Sequence, residues 1–154
     1  MPNRIITLIA PANAEPGGEL SSIGENQCTD RKIDLGAHPF DTIICSTAKS
    51  AVETAKFLSG QDGKSFVPVP ALARATSSPD VVWGLITRHL NESPGCEILV
   101  VAEPSLVHPI ANVATNGRVA QHSRDTAIPE CGGYRMALSG DRIVSMESLQ
   151  PLPQ

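Results

Sequence analysis

The chain has few aromatic side chains and a small deficit of positive charge. Its 154 residues include three Phe, one Tyr and one Trp, and 12 Lys and Arg stand against 16 Asp and Glu, so the net charge is −4. A nucleic-acid-binding surface normally carries excess positive charge and aromatic rings on which bases stack. The composition therefore argues against a nucleic-acid partner.

Long apolar runs and an export signal are also lacking. No apolar stretch approaches the roughly 18 residues of a membrane-spanning helix. The short apolar run at 5–9 is not followed by the small-residue cleavage site of a signal peptide. We therefore expect a cytoplasmic protein that makes no membrane contact.

Closely spaced cysteines and glycine-rich nucleotide loops are missing as well. The four cysteines, Cys28, Cys45, Cys96 and Cys131, lie far apart without a C-x-x-C pair, whereas zinc sites usually contain such pairs. In a cytoplasmic protein these four residues are expected to be reduced thiols. Neither a G-x-G-x-x-G sequence nor a Walker loop is present, so no metal and no cofactor is predicted.

The length and the pattern of apolar residues predict a single domain over residues 1–154. Runs typical of buried strands alternate along the chain with apolar residues at helical spacing. The strand patterns cover 4–10, 42–46 and 96–102, and the helical patterns begin near Ser21 or Ser22, at Ser50 and at Pro79. An extended piece covers 66–70, and its prolines indicate either an edge strand or a loop.

Local signals complete the predicted architecture. Ser22 and Glu25 have the spacing of a capping box at the start of the first helix. A further helix is predicted over 106–113, in which Pro109 is tolerated only in the first turn. Two strands around the turn at 139–141 predict a hairpin. The fold class predicted is α/β, a three-layer α/β/α sandwich with a mostly parallel central sheet and a C-terminal hairpin.

Ligands of such sheets bind where the parallel strands end. Three segments, 10–13, 45–50 and 102–105, directly follow the three predicted central strands. We therefore expect their polar side chains to lie close together.

These segments and their neighbours resemble the histidine phosphatase superfamily (phosphoglycerate-mutase-like), and most closely its short bacterial phosphohistidine phosphatase branch. At 8–15 the chain reads LIAPANAE, where that family has L-V-R-H-[AG]-E-A-E. At 40–55 it reads FDTIICSTAKSAVETA, which resembles F-D-x-I-x-S-S-P-x-x-R-A-x-Q-T-A. The stretch EILVVAE at 97–103 lies where the family has a strand ending in G-H, and IPECGG at 128–133 resembles its P-x-G-G segment.

The resemblance implies a pocket with a degenerate active site. The nucleophilic His of the family falls on Pro11, its two phosphate-binding Arg fall on Ala10 and Ser50, and its second His falls on Glu103. The acidic proton donor falls near Ala75. Proline offers neither a nucleophile nor a hydrogen-bond donor, and phosphoryl transfer depends on stabilising negative charge. We therefore predict that the protein does not hydrolyse phosphate esters or phosphohistidine.

Several polar side chains remain in this degenerate pocket, and they are the candidate site residues. Glu103 is the candidate catalytic acid or base, since a partly buried carboxylate can serve that role. Alternatively it is a solvated residue that opens the next helix, and a pairing with His108 is also conceivable. Cys45 is either a thiolate nucleophile or a small buried apolar residue. The degenerate pocket comprises Ala10, Pro11, Asn13, Cys45, Ser50, Glu103 and His108.

Three functions remain open. The first is a pseudoenzyme, a phosphatase-like scaffold that binds an unknown protein partner, regulates or assembles, with a homodimer as one form. The second is a repurposed enzyme that acts on a neutral small molecule with Glu103 as general acid or base. In the third, the resemblance is only architectural and the chain is an unrelated small α/β domain.

Overall fold

Alternating strand and helix patterns give six strands and four helices in the described part of the computed structural model. The structure describes residues 4–35, 40–59, 65–74, 76–92, 96–117, 128–140 and 142–149. The strands are β1 (Arg4–Ile9), β2 (Thr42–Cys45), β3 (Ser65–Pro68), β4 (Glu97–Val101), β5 (Gly133–Ser139) and β6 (Arg142–Ser148). The helices are α1 (Ser22–Asp34), α2 (Lys49–Ser59), α3 (Pro79–Glu92) and α4 (Pro104–Ala114), with a 3-10 turn at Pro70–Ala73.

The strands form one mixed sheet in the order β3-β2-β4-β1-β5-β6. The pairs β3–β2, β2–β4 and β4–β1 are parallel, and β5 and β6 add an antiparallel hairpin at one edge. Val101 of β4 is level with both Ile9 of β1 and Cys45 of β2. The mostly parallel sheet with a C-terminal hairpin is confirmed, and the three central strands end in the same row.

Side chains of β1 alternate between two apolar cores, one on each face of the sheet. Ile6 and Leu8 face one core, while Ile9 faces the other. We call the first the α3/α4 core; its helical members are Val82, Ile86, Leu90, Leu106, Val107, Ile110 and Ala111. We call the second the α1/α2 core; its helical members are Cys28, Ala51, Ala55 and Leu58. This arrangement is the predicted three-layer sandwich.

One of the two candidate caps of α1 is confirmed, whereas the capping box that begins at Ser22 is wrong. Ser21, not Ser22, is the N-cap, and its hydroxyl accepts a hydrogen bond from the backbone N–H of Gly24 at 3.0 Å. A Cβ at Gly24 would lie 2.0 Å from the carbonyl oxygen of Asn13. Glycine at this position therefore lets the first turn of α1 approach the loop after β1.

The prediction for α4 is wrong in its starting point. The helix begins at Pro104 and extends to Ala114, so Pro109 lies inside it and not in its first turn. Proline at the first helical position is favourable, whereas interior proline removes one backbone hydrogen bond. Burial of Leu106 and Ile110 in the α3/α4 core stabilises the helix in spite of that loss.

Two further properties of the described residues concern membrane spans and metal ions. No described helix combines the length and the apolar character needed to cross a membrane. Within the same residues, no three His, Cys, Asp or Glu side chains come together in a way that could hold a metal ion.

Candidate functional site

The predicted site segments meet at the row where β1, β2 and β4 end. Beyond the strands, Ala102 N–H donates to the carbonyl of Ile9 at 3.0 Å. Ser46 N–H likewise donates to the carbonyl of Val101 at 2.9 Å. These hydrogen bonds continue the parallel pairing past the ends of the strands, so the three chain segments lie side by side. We call this region, formed by residues 10–13, 45–50 and 102–105, the strand-edge site.

Ala10 and Pro11 are held by the segment just before β5. Ala10 N–H donates to the carbonyl of Gly132 at 3.0 Å, and the Pro11 carbonyl accepts from Cys131 N–H at 3.2 Å. Ala10 is buried and Pro11 is half-buried. Pro11 is therefore a fixed proline ring that offers no nucleophile and no hydrogen-bond donor to the site.

Thr54 joins the first segment of the site to α2. Its hydroxyl accepts from Ala12 N–H at 3.0 Å and donates to the carbonyl of Ser50 at 2.7 Å. This buried hydroxyl places half-buried Ser50, in the first turn of α2, beside the loop after β1. The neighbouring Lys49 is exposed, and its ammonium lies 3.2 Å from the carboxylate of Glu19. The positive charge of Lys49 is therefore paired at the surface.

Asn13 forms hydrogen bonds with residues of three neighbouring segments. Its side-chain oxygen accepts from the Ser21 hydroxyl at 2.5 Å, and its side-chain nitrogen donates to the Glu130 carboxylate at 2.8 Å. Its backbone N–H donates to the side chain of Gln27 at 2.8 Å, and Gln27 in turn donates to Glu130 at 3.2 Å. Asn13 therefore links the loop after β1, the start of α1 and the segment before β5.

Glu103 caps its own helix. One carboxylate oxygen accepts hydrogen bonds from the backbone N–H of Ser105, at 2.8 Å, and from the Ser105 hydroxyl. The backbone N–H of Glu103 donates to the carbonyl of Leu72 at 2.8 Å. A carboxylate at a helix N-terminus satisfies free N–H groups and interacts favourably with the helix dipole. The half-buried Glu103 therefore performs the structural task of opening α4.

His108 pairs with Tyr134 of β5. The Tyr134 hydroxyl and His108 Nδ1 share a hydrogen bond, and the two rings meet edge to face with centroids 5.5 Å apart. Burial raises the pKa of Tyr134. The carboxylate of Glu103 is engaged by Ser105 and His108 by Tyr134, so each member of the conceivable Glu103–His108 pair has its own partner.

Cys45 is a buried thiol at the end of β2. Its Sγ donates to the carbonyl of Ser46 at 3.1 Å. Burial raises the pKa of Cys45 to about 12, so the thiol stays protonated near neutral pH. Because the thiolate is the nucleophilic form, this environment favours the apolar structural role.

The residues that hold the site together were missed by sequence reasoning. Thr54 and Gln27 occupy unremarkable helical positions, and their partners lie far away in the chain. A lone Thr on the apolar side of α2 was the one local signal that could have identified the first of them. The predicted acidic position near Ala75 lies outside the described residues.

Comparison with known proteins identifies the fold. No family model matches the chain, and no curated protein matches it. A solved protein histidine phosphatase SixA complexed with tungstate superposes with a TM-score of 0.73 at 13% identity, over 94% of this chain and 96% of that one.

Two further solved structures agree with this likeness. A phosphoserine phosphatase variant from Entamoeba histolytica, in complex with phosphoserine, gives a TM-score of 0.73 at 13% identity over 96% of this chain and 98% of that one. The alpha-ribazole phosphatase from Shigella flexneri gives 0.68 at 14% identity over 94% and 95%. The chain therefore shares the fold of these phosphatase structures.

Proposed function

We propose that this chain is a phosphatase-like domain without phosphatase activity, which acts as a binding module through its strand-edge site. The observation that carries the proposal is the composition of that site. The resemblance places two Arg and two His at positions that here are Ala10, Pro11, Ser50 and Glu103. These four residues include no cation and one carboxylate.

The charge of the site supports this conclusion. Catalysis of phosphoryl transfer rests on positioning and on stabilising the charge of the transferred group. Glu103 is half-buried beside the strand ends, and its charge opposes the approach of an anion. The nearby cation Lys49 is paired with Glu19 at the surface. The site therefore favours a neutral or cationic group that donates hydrogen bonds.

The nature of the remaining polar groups also favours binding over chemistry. Asn13, Glu103 and Thr54 all accept or donate hydrogen bonds within the protein, and these bonds shape the loops. A repurposed enzyme with Glu103 as general acid or base is the alternative. It is less well supported, because the same carboxylate oxygen already accepts two hydrogen bonds from Ser105. We propose a protein partner or a neutral small molecule as the ligand.

The proposal is tested with purified wild-type protein in two assays. Turnover of p-nitrophenyl phosphate and of a phosphohistidine peptide tests activity, and calorimetry with tungstate, the oxyanion bound by one structural neighbour, tests the anion site. We expect no turnover above buffer and no measurable tungstate binding. Turnover that copurifies with the protein and is lost in Glu103→Ala would overturn the proposal.

A variant designed to gain tungstate binding tests the same proposal through a positive result. Ser50→Arg combined with Glu103→His restores two of the implied cations, and we expect tungstate to bind at least about tenfold tighter than to wild type. The matched control is Thr29→Arg with Glu25→His, which makes the same charge change on exposed positions of α1. Equal gains in both variants would show that net charge, and not the strand-edge site, sets anion affinity.

A further inference from the structure

Two buried thiols meet beneath the strand-edge site. Cys28 lies on α1 and Cys131 lies just before β5, and both side chains are 0% exposed. The interaction between the two thiols raises the pKa of Cys28 and lowers the pKa of Cys131. Both belong to the α1/α2 core, together with Ala12 of the strand-edge site. The fold therefore brings together two nucleophilic groups that are far apart in the sequence.

A buried arginine lies beside this pair. Arg31 follows Cys28 by one helical turn, so both side chains project from the same face of α1. Its side chain is 1% exposed, and Nε donates to the carbonyl of Cys131 at 2.8 Å. Its Nη1 forms an ion pair with the Asp34 carboxylate at 2.8 Å. A fixed positive charge next to a thiol stabilises the thiolate.

The two thiols differ in their acidity. The interaction with Cys28 and then the charge of Arg31 lower the pKa of Cys131, although burial opposes them. The same interaction and burial raise the pKa of Cys28. Cys131 is therefore the more acidic thiol of the pair, and Cys28 the less acidic one. The other buried thiol, Cys45, has its hydrogen bond with a backbone carbonyl instead.

We propose that Cys28 and Cys131 are a redox-modification site that a peroxide oxidises to an intramolecular disulfide. The Cys131 thiolate attacks hydrogen peroxide, which breaks the O–O bond, gives a sulfenic acid on Cys131 and releases hydroxide. The Cys28 sulfur then attacks the sulfenic sulfur, the S–OH bond breaks, and water leaves with the Cys28 proton. The two thiols are oxidised, and the peroxide is reduced to two molecules of water once hydroxide takes up a proton.

The disulfide would fasten one wall of the strand-edge site. Cys131 N–H already holds the carbonyl of Pro11, and Gly132 accepts from Ala10 N–H. A covalent bond from Cys131 to α1 would remove the freedom of this segment to move away from the helix. Pro129 and Glu130, which directly precede Cys131, are exposed, so local opening of this segment is the route by which a small peroxide reaches the thiols.

The test uses Cys96→Ser protein, because Cys96 is the exposed thiol. Reduced protein is treated with hydrogen peroxide, blocked with iodoacetamide, digested and analysed by mass spectrometry. We expect a linked Cys28–Cys131 peptide that dithiothreitol separates, and a rise in Tm on the order of 10 °C that reduction reverses. Linkage of either thiol to Cys45, dimers linked between chains, or unmodified Cys28 and Cys131 would overturn the proposal.

Two single variants test the roles of the two thiols without requiring the disulfide. In Cys28→Ala, Cys131 loses its interaction with Cys28 but keeps the charge of Arg31, and it is expected to react more slowly, to stop at the sulfenic acid and to be labelled by dimedone. In Cys131→Ala, Cys28 is expected to stay unlabelled under the same conditions. Cys45→Ala is the control and keeps the Cys28–Cys131 disulfide. Equal labelling of the two single variants, or a sulfinic acid on Cys131 of the Cys96→Ser protein in place of the disulfide, would contradict the assignment.

Discussion

The two cores of the molecule bury different kinds of side chain. The α3/α4 core is built from large aliphatic residues of α3, α4 and the sheet, with Tyr134 at its margin. The α1/α2 core contains three thiols and three alanines beside larger apolar residues. Arg31 and Thr54, which are buried polar residues, come from the helices that cover this second core.

The two kinds of buried side chain contribute in different ways to stability and to the shape of the strand-edge site. Aliphatic burial is non-directional and stabilises the sheet as a whole. Buried hydrogen-bonding groups are directional, and here they reach the loops of the strand-edge site. Thr54 holds Ala12 N–H, and Arg31 holds the carbonyl of Cys131. The α1/α2 side therefore positions residues 10–13 and the segment before β5, whereas Glu103, at the start of α4, is held from the α3/α4 side by Leu72.

The largest expected effect comes from truncating the α3/α4 core. Ile86 in α3 is 0% exposed, and Ile86→Ala is expected to lower the free energy of unfolding by about 3 kcal/mol, because it removes buried methyl groups and leaves a cavity. Urea unfolding measures this loss. Hydrogen exchange at residues 10–13, measured relative to global unfolding, is expected to stay unchanged.

The control for this variant lies on the outer side of the same helix. Val81 is 61% exposed, and Val81→Ala is expected to change stability by less than about 0.5 kcal/mol. Faster local exchange at 10–13 in Ile86→Ala would show that the two cores do not have separate roles.

A smaller but more local effect is expected from Thr54→Val, which keeps the side-chain shape and removes the hydroxyl. Ala12 N–H then loses its acceptor in a buried place, which costs about 2 kcal/mol. We expect this loss in urea unfolding together with faster exchange at 10–13. Thr29→Val is the matched control, because its hydroxyl bonds one turn back to Glu25 on the exposed face of α1. An equal loss in both variants would contradict a positioning role for Thr54.

Most of the fold was predictable because it follows from local patterns. Continuous apolar runs marked β1, β2 and β4. The prolines after Phe66 indicated an edge strand or a loop, and the sheet order shows that the first of these alternatives, the edge strand β3, is the one that forms. A start of α4 directly after Glu103 was one of the alternatives for that residue, but the rule about interior proline placed the helix two residues later. There the outcome depended on burial of residues around Pro109, which is a tertiary effect.

The candidate site was predictable in its location and less so in its contacts. Parallel strands must end at one edge, so residues 10–13, 45–50 and 102–105 had to meet. The partner of Thr54 or of Arg31 could not be read in the same way. Each of these side chains reaches a backbone group that is distant in sequence, and no periodicity in one segment encodes such a contact.

The smallest of the expected effects is the loss of stability at alkaline pH that the Cys45 thiol of the α1/α2 core causes. Burial raises its pKa from the ordinary value of 9.0 to about 12 in the folded protein. Between these values the unfolded chain loses the proton while the folded protein keeps it. The contribution of Cys45 to the free energy of unfolding is therefore fully present below pH 9. Above pH 9 it falls as pH rises, by up to about 1.4 kcal/mol per pH unit.

The contribution of Cys45 is isolated by difference, because Tyr134 and Cys28 also have raised pKa values and add to the alkaline loss. Urea unfolding of wild type and Cys45→Ala is compared at about pH 8 and about pH 10. The variant is expected to start less stable, since it loses a buried sulfur, and to lose about 1 kcal/mol less over the interval. Cys96→Ala removes an exposed thiol and is expected to follow wild type. Parallel curves for wild type and Cys45→Ala would mean that alkaline conditions open the α1/α2 core around Cys45 before the protein unfolds, and that this core is less firmly closed than the α3/α4 core.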